Sequence, residues 1–246
     1  MTFQDHFSAR AELYAEARPT YPPELFADLA ALAPSRRSAW DCGTGNGQAA
    51  VALADLFDSV IATDPSTAQL HEAEPHPRVR YEVAAEDASG IPSGSVDLVT
   101  AAQAAHWFDQ ARFHAEVLRV LRPGGVVAIW CYGLCEIAPE IDGQVTSFYR
   151  NTVGSYWPPE RRHVEDGYRS LHFPVPEVPF PMHVMERRWT LAEFGAYLSS
   201  WSAVERFHKA RGADPVAPFL DALAPEWGAA PRLVRWPLTG RLGRIA

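Results

Sequence analysis

Trp40-Asp41-Cys42-Gly43-Thr44-Gly45-Asn46-Gly47 sets three glycines at alternate positions, after a short apolar approach and ahead of a helical run over 48–57. Glycine accepts positive φ and has no Cβ, so such a loop turns tightly and lets a ligand approach its backbone. The helix that follows would point free N–H groups toward that ligand. Asp41, just before the glycines, narrows the choice of ligand. A carboxylate there is a poor neighbour for a pyrophosphate and a good one for a cationic group.

Short apolar runs recur on both sides of this loop, at 38–41, 59–64, 79–84, 96–101 and 125–132, with helical stretches at 48–57, 66–74 and 111–121 between them. Arg122-Pro-Gly-Gly125 stops the last helix and turns the chain into the next strand. Strands alternating with helices, most of them too apolar to have a wet face, predict an α/β fold with a parallel sheet covered on both sides. Upstream, 7–17 and 23–32 read as helices separated by Arg18-Pro-Thr-Tyr-Pro-Pro23, the second opening on prolines that a first helical turn accepts.

Beyond Tyr132 the alternation stops. Residues 137–153 read as a helix, and 156–162 as a loop rich in tryptophan, proline and arginine. Phe173-Pro-Val-Pro-Glu-Val-Pro-Phe-Pro181 must be extended and cannot be a central strand. Residues 183–189 read as a strand and 191–210 as a helix, while 232–238 and 240–245 are the arms of a closing hairpin or one interrupted strand. Residues 133–181 read as an insertion over the carboxyl ends of the strands, where ligands sit in open α/β sheets.

A glycine turn after a strand is weak evidence by itself, but the next strand ends carry acids at matching separations. Asp64 closes the second strand about twenty residues beyond the glycines, where an acid accepts hydrogen bonds from ribose hydroxyls. Glu86-Asp87 follows the third strand, where an adenine amino group could be met. Gln103-Ala-Ala-His-Trp-Phe108 follows the fourth. Each acid alone also fits a solvated strand end; three at successive strand ends form a set.

As a set, Asp41-Cys-Gly-Thr-Gly-Asn-Gly47, Asp64, Ala85-Glu86-Asp87 and Leu121-Arg-Pro-Gly-Gly125 resemble the successive motifs of the class I S-adenosylmethionine-dependent methyltransferases, over roughly residues 35–132. The opening Tyr14, Arg18-Pro19 and Tyr21-Pro22, with Gln103 and His106-Trp107-Phe108, resemble the small-molecule branch that includes trans-aconitate methyltransferase-like proteins. The resemblance implies a Rossmann-like, mostly parallel seven-stranded sheet with an antiparallel closing strand and helices on both faces. It implies one domain: a helical cap at 1–34, a cofactor-binding core at 35–132, a substrate-side insertion at 133–181, and closing strands and a helix at 182–246. It also implies S-adenosylmethionine as methyl donor, with S-adenosylhomocysteine as product. Asp41, Gly43, Thr44, Gly45 and Gly47 would hold the methionine part, Asp64 and Pro65 the ribose, and Ala85, Glu86 and Asp87 the adenine edge. Gln103 would flank the methionyl group. Tyr14, Arg18 and Tyr21 would close over the cofactor, with Arg18 able to reach its carboxylate.

The chemistry of the acceptor is less constrained. Methyl transfer is an in-line displacement at an activated carbon, so the protein contributes positioning and water exclusion. Aromatic rings beside a sulfonium add a cation–π attraction of about 0.5–2 kcal/mol, with Trp107, Phe108, Tyr14 and Tyr21 as candidates. Trp107 and Phe108 serve equally as an anchor for the next helix. An amine or hydroxyl acceptor calls for a general base, for which His106 is the candidate; hydrogen bonding to its own loop is the alternative. A carboxylic acid, giving a methyl ester, needs cations instead, which Arg161, Arg162 and His163 could supply unless they form a solvated basic loop. Trp107, Trp157, Arg161 and Arg162 are the substrate-side candidates.

Over 246 residues the chain is 47% hydrophobic and 21% charged, with a formal net charge of −8. That balance argues against a nucleic-acid backbone as partner. Three cysteines form no disulfide framework, and Cys131-x3-Cys135 lacks the second pair a zinc site needs, so no metal is expected. No leader and no apolar run of roughly 18 residues is seen, and a soluble cytoplasmic enzyme is the expectation; oligomeric state is open. A nicotinamide-dependent oxidoreductase and a non-catalytic cofactor sensor on the same fold are the competing readings. The acid ahead of the glycines weighs against the first, and intact cofactor positions against the second.

Overall fold

The computed structural model describes residues 18–173 and 175–246. Its centre is a sheet of five parallel strands, β1 (Ser38–Cys42), β2 (Ser59–Asp64), β3 (Val79–Val83), β4 (Val96–Ala102) and β5 (Leu121–Tyr132). They are ordered β3-β2-β1-β4-β5, so the chain reverses direction across the sheet between β1 and β4. The helices between them are α1 (Pro23–Leu32), α2 (Gln48–Ala54), α3 (Thr67–His71) and α4 (Gln110–Val120). The helix expected over 7–17, and Tyr14 with it, lies outside the described residues.

Successive side chains on a strand point to opposite faces, and here both faces are dry. Ala39, Val60, Leu98, Ala128 and Trp130 pack on one side with Leu25, Phe26 and Leu29 of α1 and Leu53 of α2. Trp40, Ile61, Val99, Val127 and Ile129, their alternating neighbours, pack on the other with Phe113, Val117 and Val120 of α4. This explains why these strands read as unbroken apolar runs.

The second half of the chain contains α5 (Pro139–Ser147), α6 (Arg161–Glu165), β6 (Glu177–Val178), β7 (Val184–Trp189), α7 (Leu191–Ser199), α8 (Ser202–Arg211), α9 (Val216–Trp227) and β8 (Arg232–Arg244). The 13-residue β8 is one strand and not a hairpin. Its end runs antiparallel to β5, from Val126↔Arg244 to Tyr132↔Leu238, and its beginning pairs with β7 from Trp189↔Arg232 to Val184↔Pro237. Gly240 lies in the middle of it because a Cβ there would meet the side chain of Trp130 at 2.7 Å and Phe180 at 2.9 Å.

The sheet has eight strands and not seven. The extra strand is the two-residue β6, an edge piece in the proline-rich stretch that pairs with β8 at Glu177↔Gly243. The helices also differ from expectation. The helix over 191–210 is two helices, because Trp201 adopts extended backbone (φ −73°, ψ 133°). Its indole is buried against Phe148, Tyr149, Trp157 and Tyr197. The helix over 137–153 starts only at Pro139, since Asp142 Oδ1 accepts the Ile137 and Ala138 N–H groups, and after Ser147 it widens into a looser turn over Phe148–Thr152. The loop at 156–162 ends in the helix α6, and α9 is a helix that the sequence reading passed over.

Candidate functional site

The glycine loop leaves β1 with Gly43, Gly45 and Gly47 at φ +68°, +56° and +84°. The left-handed region disfavours a Cβ, and neighbours enforce it at two of the three. A Cβ on Gly43 would lie 2.7 Å from the Ala104 methyl and 2.9 Å from the Phe108 ring, and one on Gly47 would strike the Tyr81 hydroxyl. The loop is tied to the end of β2, with the Gly43 and Thr44 N–H groups donating to the Thr63 carbonyl at 2.8 and 3.0 Å. Gly47 caps α2.

Asp41 supports the loop from beneath. It is buried, and its carboxylate accepts the Thr44 hydroxyl at 2.6 Å and the Thr100 hydroxyl at 2.7 Å. Burial pushes its pKa up to about 6, opposed by the two hydroxyls and assisted by the charge of Asp64. Asp64, at the end of β2, accepts the Gly45 N–H on Oδ2 at 2.9 Å and the Ser66 N–H on Oδ1 at 2.8 Å. That carboxylate therefore holds the loop in place.

Beyond β3, Glu86 Oε1 accepts the Asp109 N–H at 2.9 Å, and Asp87 pairs with Arg112 at 2.8 Å. After β4, Gln103 takes φ +54°, unusual for a residue with a Cβ. Its amide explains the conformation. Gln103 Nε2 donates to the Tyr132 carbonyl at 3.2 Å and Oε1 accepts the Tyr132 N–H at 2.8 Å, so a side chain continues the ladder where the backbone turns away. Tyr132 in turn accepts a bond from Arg18 Nη1 on its hydroxyl at 2.8 Å. Arg18 also reaches the Ser200 carbonyl at 3.4 Å and lies 5.8 Å from the centre of the Tyr197 ring.

These pieces enclose one cavity of about 710 Å³ at the carboxyl ends of the strands. Gly43, Thr44 and Gly45 line it from the loop, Asp64 and Pro65 from β2, and Ala85, Glu86 and Asp87 from β3. Gln103, Trp107, Arg18 and Tyr21 line it from β4 and the N-terminal side. Asp64, Glu86, Asp87 and Asp109 gather at the ends of β2, β3 and β4 with Arg112 among them, Arg18 lies against Tyr132 at the end of β5, and Arg206 of α8 and Glu160 complete the charged lining.

Among the described residues, the expected Asp41, Gly47, His106, Trp157, Arg161 and Arg162 do not line the cavity. Asp41 and Gly47 shape the loop from behind. His106 is buried, with Nδ1 2.9 Å from the Tyr168 hydroxyl, and burial, then Arg161 and His163, hold its pKa down at about 3. Its partner lies in a distant segment and not in its own loop, and a ring held neutral to so low a pH is a weak base. Arg161 stacks 4.8 Å over Trp157 and 5.6 Å over Tyr149, and bonds the Tyr149 hydroxyl at 2.9 Å. Arg162 reaches back to His163 at 3.4 Å. The aromatic rings that make residues 156–162 stand out in sequence thus absorb the arginine between them.

The cavity also holds residues that the sequence did not single out. Ser66 and Gln69 belong to the first turn of α3, and Asp109 and Arg112 to the first turn of α4, both predictable as helix starts directly after the motifs. Pro158, Pro159 and Glu160 lie between the expected Trp157 and Arg161 in the marked loop at 156–162, and Arg206 has no local signal. Among the described residues no group of three or more His, Cys, Asp or Glu side chains is placed to hold a metal, and no helix is long and apolar enough to cross a membrane.

Comparison with known proteins agrees with this layout. A family model described as a methyltransferase domain matches residues 40–129. A Dictyostelium discoideum protein named as a methyltransferase is 38% identical over 216 residues, covering 86% of this chain and 82% of its own length. A Saccharomyces cerevisiae protein named as an S-adenosylmethionine-dependent methyltransferase is 34% identical over 128 residues, 48% of this chain and 44% of its own. The solved structure of a protein described as a type II methyltransferase from Anaeromyxobacter dehalogenans superposes with a TM-score of 0.87 at 48% identity, over 92% of this chain and 97% of that one.

Proposed function

The chain belongs to the class I S-adenosylmethionine-dependent methyltransferases, and from that membership we propose that its cavity holds S-adenosylmethionine beside a small acceptor bearing a carboxyl group, which becomes a methyl ester. Asp64, Glu86 and Asp87 beside the glycine loop, with Arg18 held at the end of β5, support this reading. S-adenosylmethionine has hydroxyls and an amino edge at its nucleoside end, a carboxylate at the other, and no phosphate. Acids on the β2–β3 side and arginine on the β5 side suit that order; a dinucleotide would place its pyrophosphate against the acids.

The residues present fit the donor. Asp64 would meet the ribose hydroxyls, Glu86 and Asp87 the adenine edge, and Arg18 the methionyl carboxylate; all four line the cavity. Gly43 and Gly45 leave the backbone bare where the methionyl chain would pass. Trp107, Phe108 and Tyr21 supply aromatic faces for a cation. Bound there, the donor supplies an activated methyl carbon for in-line displacement, with S-adenosylhomocysteine as product. The chain's own contribution is alignment and exclusion of water. A carboxylate acceptor is already ionised near neutral pH and asks for no base, in keeping with His106 lying in a buried link to Tyr168. A cavity of about 710 Å³ lies within the range of roughly 300–1,000 Å³ common for small-molecule sites, and the net charge of −8 suits such a substrate better than a nucleic acid. The three cysteines are free and buried, which suits a reducing compartment such as the cytoplasm.

Calorimetry with S-adenosylhomocysteine, followed by a methyl-transfer screen of small carboxylic acids, phenols and amines, tests the proposal. Saturable binding and turnover confined to the acids is the expected result. Turnover of amines or phenols alone would move the acceptor class and reopen the question of a base.

A further inference from the structure

Among the described residues, Gln103 and Tyr168 are the non-glycine residues with positive φ, at +54° and +65°. Both hold the same stretch, the loop after β4. Gln103 begins it, and its Ala104, Trp107 and Phe108 line the cavity. A Cβ on Gly43 would touch Ala104 and Phe108, and Glu86 Oε1 accepts the Asp109 N–H. Between these anchors, Ala105–Trp107 makes a single helical turn, closed by the Trp107 N–H on the Ala104 carbonyl at 2.9 Å. In so tight a turn the His106 ring cannot move without Trp107, and the two rings lie 4.7 Å apart. What holds His106 is Tyr168, whose hydroxyl is 2.9 Å from Nδ1.

The left-handed region disfavours a residue with a Cβ, and such strain persists where the surroundings over-determine it. Around Tyr168 they do. Its N–H donates to the His163 carbonyl at 2.7 Å, and Gly167 before it, at φ +66°, is wedged against Thr239 of β8. The ring is fully buried in the same cluster as Ala105, Cys131 and Val164. Burial keeps the phenol protonated and the imidazole neutral near pH 7, so the link fixes a position and moves no proton. At the other end of this segment α6 follows Pro158, Pro159 and Glu160, which line the cavity, and Arg161 is gripped by Tyr149 and Trp157. Residues 161–168 thus form a brace with cavity wall at both ends. Resting on the methyltransferase reading above, we infer that Tyr168 is a positioning residue, which through His106 sets the face that Trp107 presents to the donor.

The test follows Trp107 and the donor's product separately, in the full chain. Trp107 emission is taken as the difference between each chain and its Trp107→Phe counterpart, and affinity for S-adenosylhomocysteine is measured by calorimetry. The chains are wild type, Tyr168→Phe, His106→Phe and the double variant. Tyr168→Phe keeps the ring and loses only the hydroxyl. It should move the Trp107 emission of the ligand-free chain to the red and make it easier to quench with acrylamide. It should also weaken S-adenosylhomocysteine roughly fivefold, the size expected of one neutral hydrogen bond. The double variant should bind no more weakly than either single one, because both break one link. It replaces both partners by apolar rings and leaves neither unpaired, so it decides the matter if a single variant fails to fold. Wild-type emission or wild-type affinity in Tyr168→Phe, or in the double variant when that is the one that folds, overturns the inference. So does a double-variant loss equal to the product of the two single losses, since Tyr168 would then act through something other than His106. If wild type binds no S-adenosylhomocysteine, the cofactor reading falls, and the ligand-free emission alone decides whether Tyr168 sets Trp107.

Discussion

At Gly47 the backbone sits at φ +84°, and the Tyr81 hydroxyl occupies the place a Cβ would need. Gly47→Ala should cost roughly 1–2 kcal/mol in backbone strain and about 1–3 kcal/mol more in overpacking. For a chain of this size that is a fall in Tm on the order of 5–10 °C, readable by thermal denaturation. Asp64 has two duties, since it holds the Gly45 and Ser66 N–H groups while facing the cavity. Asp64→Ala should weaken S-adenosylhomocysteine binding by more than about tenfold, because removing an acceptor leaves buried donors unpaired; unchanged calorimetric affinity would remove Asp64 from the ribose. His106 gives the opposite expectation. With its Nδ1 on Tyr168 and its pKa held at about 3, His106→Phe should lower Tm and leave the pH profile of kcat unmoved. A displaced acidic limb in that profile would restore it as a base.

Trp201 breaks what would otherwise be one long helix, and the break decides where α8 points. Residues 191–211 have helical composition throughout, yet the chain extends at Trp201 so that the indole enters a cluster with Phe148, Tyr149, Trp157 and Tyr197. Burying a tryptophan outweighs the few backbone bonds lost at the break. Trp201→Ala should cost about 3–5 kcal/mol, seen as a lower urea midpoint. It should also free α7 and α8 to merge, raising helical circular dichroism while impairing any property that depends on Arg206. Gln103 works on a smaller element. By bonding both backbone groups of Tyr132 it joins β4 to β5 past the last ladder bond, and Tyr132 then aims Arg18.

Taken together, the buried ionisable groups give the molecule a preferred pH range. His114 is buried beside Phe113, His172 and Phe173, both of its ring nitrogens lack a hydrogen-bond partner among the described residues, and burial, then His172 and Arg241, hold its pKa down at about 4. The unfolded chain takes up this proton near pH 6.5 and the folded chain refuses it until about 4. The stability linked to His114 is therefore complete above pH 6.5 and is lost as pH falls through that window, and His106 adds a loss of the same sign that continues to about 3. Asp41 acts with the opposite sign. Its folded pKa of about 6 stands above the ordinary 3.8, so the penalty for burying its charge is released as pH falls between those values. Urea unfolding should show stability declining below pH 6.5. His114→Phe, whose ring suits its aromatic surroundings, should flatten the decline by about one proton, roughly 1.4 kcal/mol per pH unit. An unchanged slope would mean that His114 is protonated in the fold.

Much of the cavity wall at the ends of β1 to β4 was legible in the chain alone, because its signals are local. Three alternate glycines after a strand specify positive φ, and an acid at a strand end faces the cleft once strand and direction are known. The parallel sheet was readable from apolar runs too continuous to have a wet face. Its eighth strand was not, since two residues pair with β8 only because distant segments bring them there. The rest of the cavity wall was harder to read for the same reason. Arg161 and Arg162 carry the right charge in the right segment, but the rings of Tyr149 and Trp157 hold Arg161 and Arg162 lies exposed, while Arg206, from a helix whose direction Trp201 sets, lines the cavity. A pattern of residues determines what a turn, a strand or a helix end can be. Which charged side chain meets a ligand is settled by packing between segments far apart in the chain, where burying one aromatic cluster outweighs any single local preference.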